Sequence, residues 1–119
     1  MKIGIIGAGQ LGLMLGEAAK KLNYECIFLD PNKNSPAKKI GKVLNQEFSD
    51  IEGIRRLDSL TDVITYEFEN VPVESINTLN PNTVFPSSKA LEIAQDRLKE
   101  KQLFDSLNIP VADYMSVNT

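Results

Sequence analysis

Histidine is absent from all 119 residues, which removes the commonest general base at neutral pH and the commonest zinc ligand together. A self-contained hydrolase or a zinc enzyme is disfavoured at once. Cysteine occurs once, so no disulfide framework can form within the chain. That residue, Cys26, lies in the apolar run Cys26-Ile27-Phe28-Leu29, where a small buried core residue is the ordinary reading. Long hydrophobic runs are also missing: the stretch Met1–Gly7 is too short and too glycine-broken for a signal peptide's core, and no later window could span a bilayer. A cytoplasmic protein without a membrane partner is the expectation. Runs of one charge are missing too, since 13 basic and 16 acidic residues are scattered to a formal net charge of -3. Nothing in that balance favours nucleic acid. No internal repeat or low-complexity segment interrupts the chain.

What is present suits one domain, because a hydrophobic content of 42% can fill a single core. Short apolar runs at Ile3–Ile6, Cys26–Leu29, Lys42–Leu44, Val63–Thr65 and Thr83–Phe85 read as strands. Helical periods separate them. In the first, Leu11, Leu15, Ala18, Ala19 and Leu22 form one apolar stripe opposite Glu17, Lys20 and Lys21, and that stripe is expected to pack on a sheet. The second opens with the capping box Ser49-Asp50-Ile51-Glu52 and continues through Ile54 and Leu57. A third begins at Pro72, carries Val73, Ile76 and Leu79, and stops at Asn80-Pro81. The order βαβαβαβ predicts an α/β, Rossmann-like, doubly wound parallel sheet. After it, Pro86-Ser87-Ser88 offers caps for a helical stretch from Lys89 to Asn108, restarted at Asp96. Beyond Pro110, the run Ala112–Val117 reads as an opening strand.

Gly7-Ala8-Gly9-Gln10-Leu11-Gly12 directly follows a predicted strand and opens a predicted helix, the context in which the GxGxxG spacing acquires meaning. Gly7 permits the tight turn, Gly9 lets a ligand approach the backbone, and Gly12 allows close helix–strand packing. The free N–H groups at the positive helix end favour a phosphate or a carboxylate. NAD is the usual inference, and Asp30, 18 positions beyond Gly12, stands near where a ribose-binding acid belongs. However, Asp30 also begins the turn sequence Asp30-Pro31-Asn32, and the turn role is favoured. A tight turn with no ligand is the bland alternative for the glycines.

The segment Val63-Ile64-Thr65-Tyr66-Glu67-Phe68-Glu69-Asn70-Val71-Pro72 carries a buried strand into two carboxylates at the rim where such sheets bind ligands. Glu67 and Glu69 point the same way if the strand persists, whereas the approach of Pro72 makes a turn an equal alternative. A carboxylate there could accept hydrogen bonds from an amine or a ribose hydroxyl. Solvated rim charges are the alternative.

Gly9-Gln10-Leu11-Gly12, Leu29-Asp30-Pro31, Asp62 to Val71, and Ile93-Ala94-Gln95-Asp96-Arg97-Leu98 with Lys101, in this order, resemble the N-terminal, pre-ATP-grasp domain of the carboxyaminoimidazole ribonucleotide synthase family. That family is the ATPase subunit of the purine-pathway carboxylase, within the ATP-grasp superfamily. The resemblance implies a ligase that joins bicarbonate to the exocyclic amine of 5-aminoimidazole ribonucleotide, using ATP and Mg2+. It implies substrate contacts from Gly9, Gln10, Leu11, Gly12 and Glu67, and an ATP contact from Arg97. Without the resemblance, Arg97 reads as an exposed helix arginine paired with Glu100 or Glu92. Residues 1–96 then form the substrate-binding domain, and 97–119 a linking helix and the start of an ATP-grasp region. No catalytic residue or metal ligand is assigned within this chain, which alone is expected to be inactive. A homodimer is compatible with the reading. An NAD(P)-binding oxidoreductase domain and a nucleotide-sensing module are the competing hypotheses.

Overall fold

In the computed structural model, which describes residues 1–118, the apolar runs form four parallel strands: β1 (Lys2–Ile6), β2 (Glu25–Leu29), β3 (Lys42–Leu44) and β4 (Val63–Tyr66). Their spatial order is β3-β2-β1-β4. Register places Ile5 between Phe28 and Thr65, and Ile6 between Leu29 and Tyr66. Successive side chains on a strand point to opposite faces, so the sheet serves two cores. Ile5, Cys26 and Phe28 enter one with Ala8, Leu13, Ala19 and Ala37; Ile6, Ile27 and Leu29 enter the other with Ile54, Leu57, Ile64, Ile76 and Leu91. Helix α1 (Gln10–Lys21) covers the first face; α2 (Ile51–Leu60), α3 (Val73–Ile76) and α4 (Ser88–Ala94) cover the second. This is the doubly wound α/β architecture. Helix α5 (Arg97–Ser106) follows α4 and buries none of its own residues. Among the described residues, no helix is long and apolar enough to cross a membrane.

The chain winds from β1 outward through β2 and β3, then returns to place β4 on the other side of β1. The winding direction reverses between β1 and β4, where open α/β sheets form their ligand crevice.

Several local expectations need correction. The expected α1 stripe faces the sheet only through Ala19: Leu11, Leu15 and Leu22 are 59%, 43% and 65% exposed and Ala18 is exposed, whereas Gly12, Leu13 and Gly16 are buried with Ala19. Closeness explains the inversion. A Cβ on Gly16 would stand 2.3 Å from the Ile40 side chain and 2.9 Å from the Phe28 ring, so small residues occupy the line of closest contact beside Leu13, and Leu11, Leu15 and Leu22 are displaced from it. The cap of α2 is Asp50, whose Oδ1 accepts from Gly53 N–H at 3.1 Å, in place of Ser49. Pro72 caps α3, which ends at Ile76, although Leu79 is buried beyond it. The fifth strand shrinks to one parallel bridge from Val84 to Ile64. The run Ala112–Val117 forms no strand. The restart at Asp96 holds: its Oδ1 accepts from Leu98 and Lys99 N–H at 2.9 and 3.2 Å, while Ser87 caps α4. Cys26 is buried, and desolvation, with Glu25 second, pushes its thiol above the usual range, as suits a core residue. Thr119, the end of the expected second segment, lies outside the described residues.

Candidate functional site

The crevice at the carboxyl ends of β1 and β4 is built first by Gly7. Its N–H donates to the Leu29 carbonyl at 2.8 Å and its φ is +104°, a conformation that side-chain-bearing residues rarely adopt. The chain then passes Ala8 and Gly9 into α1, whose first helical bond runs from Leu13 N–H to the Gly9 carbonyl at 2.9 Å. The N–H groups of Gln10, Leu11 and Gly12 therefore have no acceptor in the helix, and none is found for them among the described residues.

Strand β4 delivers Glu67. Its N–H still pairs with the Ile6 carbonyl at 3.2 Å, which carries the side chain across the top of β1 onto the glycine loop. There Oε1 accepts from Gly9 N–H at 3.1 Å, while Oε2 is shielded from solvent and has no partner among the described residues. The glycines shape this seat: a Cβ on Gly7 would lie 2.4 Å from Glu67 Cγ, one on Gly9 3.1 Å from Oε1, and one on Gly12 3.4 Å from Oε2. The loop expected to hold a phosphate or carboxylate holds a carboxylate of its own chain.

Asp30 serves the turn and also braces the glycine loop. Its Oδ1 accepts from Asn32 N–H at 2.9 Å, closing the turn, and its Oδ2 accepts from Ala8 N–H at 2.9 Å. Two neighbouring amides of the loop, those of Ala8 and Gly9, are thus each held by an internal carboxylate.

Beside this seat lies a cavity of about 400 Å³ walled by Leu11, Met14, Leu15, Tyr66 and Glu67. Leu11, Met14 and Leu15, exposed on α1, therefore have a place: they form an apolar wall of the crevice, which Tyr66 also lines. The Tyr66 hydroxyl donates to the Pro86 and Ser87 carbonyls at 3.2 and 3.3 Å, and burial pushes its ionisation above the usual phenol range. Met14, Leu15 and Tyr66 escaped the sequence reading as site residues, because an exposed methionine or leucine reads as the edge of a helix stripe until the helix is placed.

Gly9, Gln10, Leu11, Gly12 and Glu67 are thus gathered at one place. Arg97 is not among them: it opens α5 with an 84% exposed side chain, paired to Glu100 at 3.2 Å, beside a separate depression lined by Leu98, Lys101 and Tyr114. Lys99, not Arg97, pairs with Glu92, at 3.4 Å. Glu69 lies beyond the end of β4, exposed, so the turn reading applies to it. One residue in the Gln95-Asp96-Arg97 segment acquires an unforeseen role. Gln95 Nε2 donates to the Glu69 and Val71 carbonyls at 2.7 and 2.6 Å, tying the end of α4 to the loop that follows Glu67. Among the described residues, no group of three or more acids, cysteines or histidines converges to hold a metal ion.

Known proteins share this fold. N5-carboxyaminoimidazole ribonucleotide synthase of Pseudomonas aeruginosa is 40% identical over 120 residues, covering all of this chain and 33% of the relative. The crystal structure of the Thermotoga maritima synthetase superposes with a TM-score of 0.92 at 38% identity, covering 99% of this chain and 34% of that one. The Aspergillus clavatus synthase, in complex with ADP and 5-aminoimidazole ribonucleotide, superposes with a TM-score of 0.83 at 33% identity over 94% of this chain and 31% of that one. The chain spans about a third of the length of these relatives. Residues 1–95 match the model of the ribonucleotide synthetase preATP-grasp domain, and the chain belongs to that family.

Proposed function

We propose that this chain is the substrate-recognising domain of a cytoplasmic ATP-dependent carbon–nitrogen ligase, one that carboxylates the exocyclic amine of 5-aminoimidazole ribonucleotide with bicarbonate in purine biosynthesis. The observation that carries the reading is the Glu67 carboxylate at the β1/β4 crevice, with Oε2 lacking a donor. A buried carboxylate oxygen without a partner favours a ligand that brings N–H or O–H groups. An aminoimidazole and a ribose both bring them. The open N–H groups of Gln10 and Leu11 suit a ligand's oxygen acceptors, and the wall of Leu11, Met14 and Leu15 suits the face of a heterocycle. Similarity to the complex of the Aspergillus clavatus synthase supports the choice of ligand. The share of the reaction assigned to this stretch is recognition and orientation of the amine, through Glu67 and the crevice beside it. Arg97 is assigned to ATP, and residues 1–96 to the substrate domain with a linking helix after them.

Calorimetry on the isolated chain tests this. The ribonucleotide should bind, and Glu67→Gln should weaken it by about tenfold or more, since a hydrogen bond to a charged group contributes ~1.5–3 kcal/mol. Micromolar binding of NAD with no response to the ribonucleotide would sink the proposal. In a protein of the relatives' length carrying this stretch, Glu67→Gln should weaken the ribonucleotide selectively and Arg97→Ala the nucleotide selectively. Equal losses for both ligands in both variants would point to damaged folding.

A further inference from the structure

We propose that Glu67 is a specificity-determining residue that closes the Gly7–Gly9 turn to a dinucleotide's pyrophosphate, its carboxylate standing where that pyrophosphate would otherwise rest. A glycine-rich turn between a first strand and a first helix collects anions because its amides point outward at the positive end of the helix. In this chain the anion comes from β4. Glu67 Oε1 takes the Gly9 N–H at 3.1 Å, and the carboxylate fills the volume left by the missing side chains of Gly7, Gly9 and Gly12. Its second oxygen, Oε2, faces no donor among the described residues. Asp30 holds the adjacent Ala8 amide and adds a second negative charge. A diphosphate entering this loop meets steric and electrostatic opposition from the same residue. A ligand that offers an amine or hydroxyl to Oε2 meets neither. The glycine spacing therefore coexists with rejection of dinucleotides, and the inference stands on this geometry whatever the substrate of the domain.

The test is titration of the folded chain with inorganic pyrophosphate, followed by calorimetry and by the amide resonances of Gly9 and Gly12. The wild-type chain should show no saturable response at millimolar pyrophosphate. Glu67→Ala, which opens the seat, should bind at least about tenfold more tightly, because one like-charge contact near a protein surface exceeds the ~1.4 kcal/mol that a factor of ten requires. Glu67→Gln keeps the shape and the acceptor for Gly9 N–H while removing the charge, so it should fall between the two. It also serves as the folded reference should the alanine variant lose stability. Saturable binding of equal strength in all three proteins, or none in any of them, would overturn the proposal. The probe contains no ribonucleotide, so its outcome is independent of the calorimetry that tests the ligase reading.

Discussion

If Gly7 is a glycine because of Glu67, then the cost of placing a side chain there should depend on what stands at position 67. Gly7→Ala meets two penalties. The backbone φ of +104° disfavours any L side chain by ~1–2 kcal/mol, and the new Cβ would come within 2.4 Å of Glu67 Cγ. The clash is relieved only by withdrawing the glutamate, which breaks its bond to Gly9 N–H and forfeits ~1.5–3 kcal/mol. The expected loss is the sum, ~2.5–5 kcal/mol, a large share of a small domain's stability. Gly9→Ala should cost far less, ~0.5–1 kcal/mol, since its Cβ meets only the movable Oε1 at 3.1 Å and the remainder is a weaker helix cap. Urea unfolding followed by circular dichroism measures both. The decisive arm repeats Gly7→Ala in a Glu67→Ala background, where only the backbone penalty should survive, giving a coupling of ~1.5–3 kcal/mol. An unchanged cost in that background would show that the glycine serves the turn alone, and the account of the seat would be wrong.

Three further perturbations separate the observed architecture from its alternatives. Leu13→Ala should destabilise by ~2–5 kcal/mol, whereas Leu15→Ala should stay within about 0.5 kcal/mol, because Leu13 faces the sheet and Leu15 the crevice; reversed values in thermal unfolding would restore the leucine stripe to the core. Asp50→Ala should lower stability by ~0.5–2 kcal/mol through loss of the α2 cap, and Ser49→Ala should be near neutral; equal losses would return the cap to Ser49. Gln95→Leu should cost ~1–2 kcal/mol and speed amide exchange between Glu69 and Val71, since both carbonyls lose their donor; unchanged exchange there would mean that the clamp does not order the loop.

The parallel sheet and its winding were legible because β-rich runs and turn signals recur at regular intervals, and four of the five expected strands form within a residue or two of their expected ends. The fifth failed for a reason of length: Thr83–Phe85 offers one bridge at the edge of β4 before Pro86 removes a donor and turns the chain. Asp96 was legible as a cap because capping is local, a side chain and the amides two and three residues on. The buried face of α1 was not, because hydrophobicity was read where volume decided. Gly12 and Gly16 carry no apolar side chain to mark their face, yet their smallness brings α1 onto Phe28, Ile40 and the Gly7 carbonyl, leaving the larger leucines outside.

The glycine loop shows the same limit at the site. Its spacing specifies a turn, a helix start and a void lined by amides, and all of that is encoded locally within Gly7 to Gly12. What fills the void is decided by Glu67, at the end of a strand that becomes its neighbour only when β4 pairs with β1. Had a small neutral residue followed β4, the Gly9 amide and the start of α1 would lie open to an anion. Because a glutamate follows it, the loop presents a carboxylate oxygen that asks for a donor. In this chain the contents of the loop are set from across the crevice, by the residue that follows the strand at the switch point, and not by the glycine spacing itself.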